Sequence, residues 1–295
     1  MRASSLCVLL ALCGLGASWL IAPSTAWAQS SAPTLRVMVT LPGPAKDASK
    51  DAEAAKRRRQ TLALVTVQTA KRIKRRLLAA GVGEVNMVTL PRGEISIQTA
   101  PAKSAQWMAQ VVVPAGRLGL HEQVEQASIW TQLATSLPKG VQLRQGATDS
   151  YLWSASHQTL QDFLSRLALA DRTVSLLPGE SGWRSVMWRG RLASEADIAS
   201  ATLKTSRLGV PFVAVSFKAR ANQAWRASPA TSFVISLDGE AIEALGPAPK
   251  QIEPVAALNC TGSLSAQRDC AAQIVGRLSV PIPLNLIVLP PTASK

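Results

Sequence analysis

The stretch VQTAKRIKRRLLAAGVGEVNMVTLPRGEISIQTA, residues 67–100, reads as a helix that runs into a β-hairpin. Thr69, Ile73 and Leu77 continue steps of three and four that begin at Leu62 and Val65, so one apolar stripe predicts a helix over about 47–80. Gly81 ends it, and basic residues in its last turn suit the negative end of the helix dipole. Residues 84–90 and 94–99 then alternate as two strands about the turn Pro91-Arg92-Gly93.

Outward from this unit, 35–41 reads as a strand stopped by Pro42-Gly43-Pro44, 102–113 as a short helix and 116–126 as a strand. Residues 127–208 are less regular, with a helix predicted over 159–170 and a strand over 185–191. Ser194-Glu195-Ala196-Asp197 has the look of a helix start, so a helix is predicted over 194–202. Order returns with a strand at 210–217, a helix at 218–227, a strand at 232–237 and the tight-turn pair Asp238-Gly239 leading into 240–244. A strand near 251–255, a helix over 265–278 and a strand over 283–289 complete the pattern. Ordered parts thus flank an irregular middle. The expected fold is α+β: two halves packing together as one base, with a further α+β subdomain between them.

The N-terminus carries Arg2, an apolar run from Leu6 to about Ala22, a break at Pro23-Ser24-Thr25 and then Ala26-Trp27-Ala28. A charged start, an apolar middle and an A-x-A site are the three parts of a secretory signal, so 1–28 is read as a signal peptide cleaved after Ala28 and 29–33 as a polar leader. This places the chain in the periplasm or outside the cell. A retained N-terminal membrane anchor is the alternative, since the run is about as long as the shortest spanning helices, roughly 17 residues. The runs at 107–113 and 280–289 are core-sized. About 265 residues then remain, enough for one large domain or two small ones.

The formal charge is +14 and the pI about 10.4, with eight Trp but only four Phe and one Tyr. A basic surface favours anionic partners, and export argues against nucleic acid among them. Lys56, Arg57, Arg58 and Arg59, then Lys71, Arg72, Arg75 and Arg76, make the helix at 47–80 a candidate edge for docking an anionic membrane surface or partner. The alternative is a merely solvated face. Cys7 and Cys13 leave with the signal. Cys260 and Cys270 remain, and two cysteines in an oxidising compartment read as one disulfide. A redox-active pair is the alternative, but the spacing is not C-x-x-C.

No catalytic set emerges. His121 and His157 each stand alone, without metal-ligand spacing. No G-x-S-x-G, P-loop or Rossmann glycine pattern is present. Glu122 with Glu125, and Glu195 with Asp197, are close in sequence, but such pairs more often face solvent or cap helices. The expectation is a non-enzymatic protein with no metal and no cofactor.

The segment at 67–100, together with AQWMAQVVVPAGRLGLHEQVE (105–125), SEADIASATL (194–203), VPFVAVSFKARANQAW (210–225), SFVISLDGEAIEA (232–244) and CTGSLSAQRDCAAQIVGRLSVPIPLNL (260–286), resembles in order and spacing the large periplasmic domain of the SecD family of protein-export membrane proteins. Asp238-Gly239 and Thr261-Gly262 match the family's short turn motifs. The resemblance implies a ferredoxin-like base from 34–126 and 209–290, an inserted head from 127–208 and a tail at 291–295. It implies a module that binds unfolded or translocating polypeptide, or the export machinery, and so assists protein transport. Trp130, Trp153 and Trp183 in the head are candidate polypeptide contacts. Two departures stand out. The family's membrane-spanning helices, which carry its proton-coupling residues, have no counterpart here. The Cys260–Cys270 pair is not a rule of the family, and it would pin the Thr261-Gly262 turn to the following helix as a local staple. The second function weighed is an envelope scaffold that sets its basic helix on anionic lipids or polymers.

Overall fold

Residues 35–39 and 84–100 build the first sheet because their apolar side chains alternate. In β1 (Leu35–Val39), Leu35, Val37 and Val39 point inward. In β3 (Glu94–Ala100), Ile95 and Ile97 do the same. Between β1 and the hairpin of β2 (Glu84–Leu90) and β3 runs α1 (Ala52–Ala79), which presents Ile73 and Leu77 to those strands. The hairpin turn is as predicted: Arg92 and Gly93 take positive φ values of 65° and 84°. Helix α2 (Ala105–Val112), capped by Ser104, adds Met108 and Val111 to the same core. The last strand, β14 (Leu286–Val288), pairs with β1, so the sheet runs β14-β1-β3-β2 and joins the two ends of the described chain. This computed structural model describes residues 33–42, 52–146, 149–167, 169, 172–179, 181–247, 255–282 and 285–290. The expected signal peptide at 1–28, the expected leader apart from Pro33, most of the strand expected near 251–255 and the tail at 291–295 lie outside them.

A second sheet has the order β13-β10-β9, from β9 (Ile198–Thr205), β10 (Pro211–Phe217) and β13 (Val255–Asn259). The third is the largest. It takes β4 (Leu118–Gln123), β5 (Gln142–Gln145), β6 (Ser150–Ser154), β7 (Thr173–Gly179), β8 (Gly182–Ser194), β11 (Phe233–Leu237) and β12 (Glu240–Leu245). Its order is β12-β11-β4-β8-β6-β5, with β7 on β8. All of the strand pairs among the described residues are antiparallel, and the fold is α+β. Leu118, Leu120, Val213, Val215, Phe233 and Ile235 share one core with α5 (Ala219–Ala227) and α6 (Leu264–Ser279). Each such side chain, fully buried, contributes about 1.5–3 kcal/mol.

Within the irregular middle, α3 (Ala127–Leu133) and α4 (His157–Leu164) lie on one face of the third sheet over Leu152, Leu176 and Met187. The 13-residue β8 runs on from this small core to pair with β4. The helix predicted over 194–202 is absent. Ser194 donates its N–H and O–H to Asp197 Oδ2, at 3.0 and 2.9 Å, closing a single 3-10 turn, Glu195–Asp197. Residues from Ile198 then pair with β10, so the capping signal was real but the segment after it belongs to a ladder.

Candidate functional site

Helix α1 holds more of the residues singled out from the sequence than any other element, and its two ends meet different fates. At 28 residues it is about 42 Å long, against about 23 Å for the seven-residue strands beneath it. The hairpin tip sits against its third turn: a Cβ on Gly93 would come 3.0 Å from Leu62 Cδ1 and 3.1 Å from the Val39 carbonyl oxygen. The turns before Leu62 therefore overhang the sheet. Lys56, Arg57 and Arg59 are exposed there and Arg58 is half-buried, with Arg57 paired to Glu53 at 3.5 Å.

The other end turns two of its cations inward. Arg76, expected on a docking edge, is fully buried. Its Nε donates to the Val280 carbonyl at 2.6 Å and its Nη2 to Ala115 at 2.6 Å. Its Nη1 donates to Pro114, Val111 and Val112 at 2.5, 3.2 and 3.3 Å. Those carbonyls lie at the C-terminal ends of α2 and α6, where helices leave acceptors unpaired and carry partial negative charge. Burial pulls the guanidinium down to about 10, while Asp238 acts the other way, so Arg76 keeps its proton at neutral pH. Gly116 permits the approach, since a Cβ there would stand 2.9 Å from Arg76 Nη2. Arg72 is half-buried and donates to the Pro281 carbonyl at 3.3 Å. Lys71 and Arg75 remain exposed.

The tryptophans divide in the same way. Trp130 is fully buried and donates from Nε1 to Gln126 Oε1 at 2.8 Å, so it is core and not a contact surface. Trp153 is half-buried under the Arg144 guanidinium, 3.4 Å from its ring centre. Trp183 is half-buried against His157, with ring centres 4.5 Å apart and edge-on. Strand pairing sets Trp153 opposite Arg184 and Trp183 opposite Ser154, so the two indoles lie on opposite faces of the sheet.

The family-like turns are surface features. Asp238 and Gly239 have φ values of 55° and 91°, as a two-residue hairpin between β11 and β12 requires. Asp238 Oδ1 accepts the Arg117 N–H at 2.9 Å. Cys260 and Cys270 form a disulfide across Thr261-Gly262, tying the end of β13 to α6.

His121 lies buried in β4. Its Nδ1 faces the Gly190 carbonyl at 2.5 Å and its Nε2 faces Ser236 Oγ at 2.9 Å, which fits a neutral ring that donates from Nδ1 and accepts from the serine hydroxyl. Burial holds its pKa below the ordinary histidine value. The third group is the Gly190 carbonyl and not a carboxylate; it favours the charged ring, but burial outweighs it. Glu122 accepts from Ser228 and faces Arg189, and Asp149 caps α3 through the Gln126 and Ala127 N–H groups. Among the described residues no group of His, Cys, Asp and Glu has the arrangement of a metal site, and no helix is long and apolar enough to cross a membrane.

A groove that was not foreseen lies where α1 passes the hairpin. It has a volume of about 640 Å³, with Leu62, Ala63 and Val67 on the helix side, Leu90 and Pro91 on the strand side, and Arg59 and Arg92 among its lining. Val67 and Leu90 are exposed within it. The signal available in the sequence was that Leu64, Val67 and Leu78 are apolar but fall off the stripe that faces the core.

No protein-family profile matches the chain. No curated protein matches it either. Solved structures that it is similar to include one of a membrane component, SecDF, that enhances protein export, at 14% identity and a TM-score of 0.46, covering 88% of this chain and 100% of that one. SecDF in a super-membrane-facing form gives 15% and 0.47, and the translocon-associated membrane protein SecDF from Thermus thermophilus gives 14% and 0.30. Each covers 86% of this chain, which spans 29% and 30% of their lengths. All three are SecDF chains.

Proposed function

We propose that this chain is a SecD-like module acting outside the cytoplasm, which binds polypeptide or a partner in the cell envelope and assists protein export without chemistry of its own. The observation that carries this reading is the groove between α1 and the β2–β3 hairpin. Its lining is largely apolar, Arg59 and Arg92 add positive charge to it, and it is neither closed over nor flat. A trough of that kind suits a chain segment passing through it better than a small molecule held on all sides. The order of the SecD-like sequence segments agrees with it. The test is equilibrium binding of a reduced, alkylated polypeptide that cannot fold, at about 0.05 and about 0.3 M salt. Binding that survives the higher salt supports the reading, and no binding at either salt removes it.

The overhanging end of α1 favours a second reading. Lys56, Arg57 and Arg59 project past the sheet, where a flat anionic surface can reach all three. On that reading the chain binds anionic vesicles, binding weakens steeply with salt, and neutralising the three residues abolishes it.

A further inference from the structure

We propose that β2 is the docking strand of this chain: an extended segment of another polypeptide, alternating apolar and acidic residues, adds to its free edge as a fifth strand of the first sheet. The proposal rests on the polypeptide-binding reading above and says how the polypeptide is held.

Strand β2 closes the sheet on one side. It pairs with β3 along all seven residues, and no described strand pairs with its other edge. Its sequence, Glu84-Val85-Asn86-Met87-Val88-Thr89-Leu90, has one charge, at the far end, and no proline. Long apolar edges of this kind invite another chain, and proteins usually blunt them. Four of the other edge strands are shorter or blunted, and the uncharged edge strand β13 has five residues against the seven of β2. Strand β14 has three residues, β5 has four with Arg144 among them, β7 carries Pro178 and β9 carries Lys204.

The cover for an added strand is already in place. Val67 and Leu78 are 45% and 43% exposed. They are eleven residues apart, three helical turns, and so lie on one flank of α1, off the stripe that packs on the sheet. Val67 lines the groove together with Leu90 of β2, which puts this flank beside the free edge. A strand laid along β2 would set alternate side chains under that flank, while its backbone N–H and C=O groups met the unpaired ones of β2.

Charge selects the occupant. Arg59 and Arg92 line the groove, and Lys71 and Lys74 are exposed on the helix above, against Glu84 alone on the strand. Acidic residues on the incoming segment complement these cations. A second copy of this chain would bring its own basic helix to the contact, where like charges oppose pairing.

The test uses the full chain and a fluorescent peptide of about ten residues alternating Val and Glu, long enough to span a seven-residue strand. Two further versions are N-methylated at alternate amides, one for each edge of the extended peptide. Strand addition requires that one version bind about tenfold or more weakly than the parent peptide and the other nearly as well, because only one edge faces β2 and each lost hydrogen bond is worth about 1 kcal/mol. Equal weakening of both, or of neither, overturns strand addition while polypeptide binding stands. No binding of the parent peptide, with the alkylated polypeptide also unbound, overturns both. Val67→Asp, at an exposed position that should leave the fold intact, should weaken the parent peptide, and Trp153→Ala should not. The reverse result overturns the placement on β2.

Discussion

The two ends of α1 carry nearly the same letters, Lys56-Arg57-Arg58-Arg59 and Lys71-Arg72-Ile73-Lys74-Arg75-Arg76, and the fold uses them in opposite ways. The first run has no sheet beneath it and stays mostly in water. The second lies over the ends of α2 and α6, and Arg76 becomes the most heavily bonded side chain of the site. The difference is phase along the helix, not composition. Arg76 is three residues after Ile73 and four before Ala80, so it falls on the apolar stripe, whereas its exposed neighbour Arg75 does not. A basic run on a helix therefore has to be read residue by residue against the stripe before it is assigned to a surface.

That contrast is most easily broken at Arg76. Arg76→Met should lower the unfolding free energy by about 3–5 kcal/mol, because several carbonyls at two helix ends lose their donor at once. Arg76→Lys should recover only part of this, since an ammonium cannot span acceptors that a planar guanidinium reaches together. Denaturant titration measures both. A loss under about 1 kcal/mol would mean that water replaces the side chain and that the two ends of the helix are alike.

The disulfide tests the platform on which the buried end rests, because Cys270 lies within α6. Replacing both cysteines by serine should cost about 2–3 kcal/mol for a loop of this length. Melting should fall by about 5–10 °C in a chain of this size. An unchanged melting temperature would show that the pair is no staple.

A smaller effect is expected from His121. Its folded pKa lies below the unfolded value of 6.5, so above that pH both states are neutral and the histidine adds no pH dependence. As pH falls through 6.5, the unfolded chain takes up the proton first and stability declines. The melting temperature should therefore drop between about pH 7.5 and 5, and less so in His121→Asn. An equal drop in the two proteins would place the acid sensitivity elsewhere.

The smallest effect on stability should come from the overhang. Changing Lys56, Arg57 and Arg59 to Gln should move the unfolding free energy by no more than about 0.5 kcal/mol. The salt-dependent part of any binding should go with them. A large loss of stability would mean that this end too is held by packing.

Much of the fold could be read in advance where one period dominates. The apolar stripe of α1, the hairpin at 84–100 and the Asp238-Gly239 turn all follow from local pattern, and the structure has them. The middle was harder for a physical reason. Strand β8 is buried on both faces from Ser185 to Trp188, with Met187 in one core and Val186 and Trp188 in another, so the alternation is lost there. Ser194 and Asp197 did form a cap, but pairing with β10 decided what followed. Trp130 is a candidate contact by sequence, and nothing local shows that it is buried with Gln126 as its hydrogen-bond partner. Of the candidate site, the cations of the rim were visible and the groove was not, because it is made by the tip of one hairpin passing the flank of one helix.

Amide hydrogen exchange of the full chain, with and without saturating alkylated polypeptide, bears most directly on polypeptide capture beside α1. The expected result is slowed exchange confined to residues 84–90 and the adjoining turns of α1 around Val67, with the amides around Trp153 and Trp183 unchanged. Protection centred on Trp153 or Trp183, with β2 exchanging as before, would contradict it.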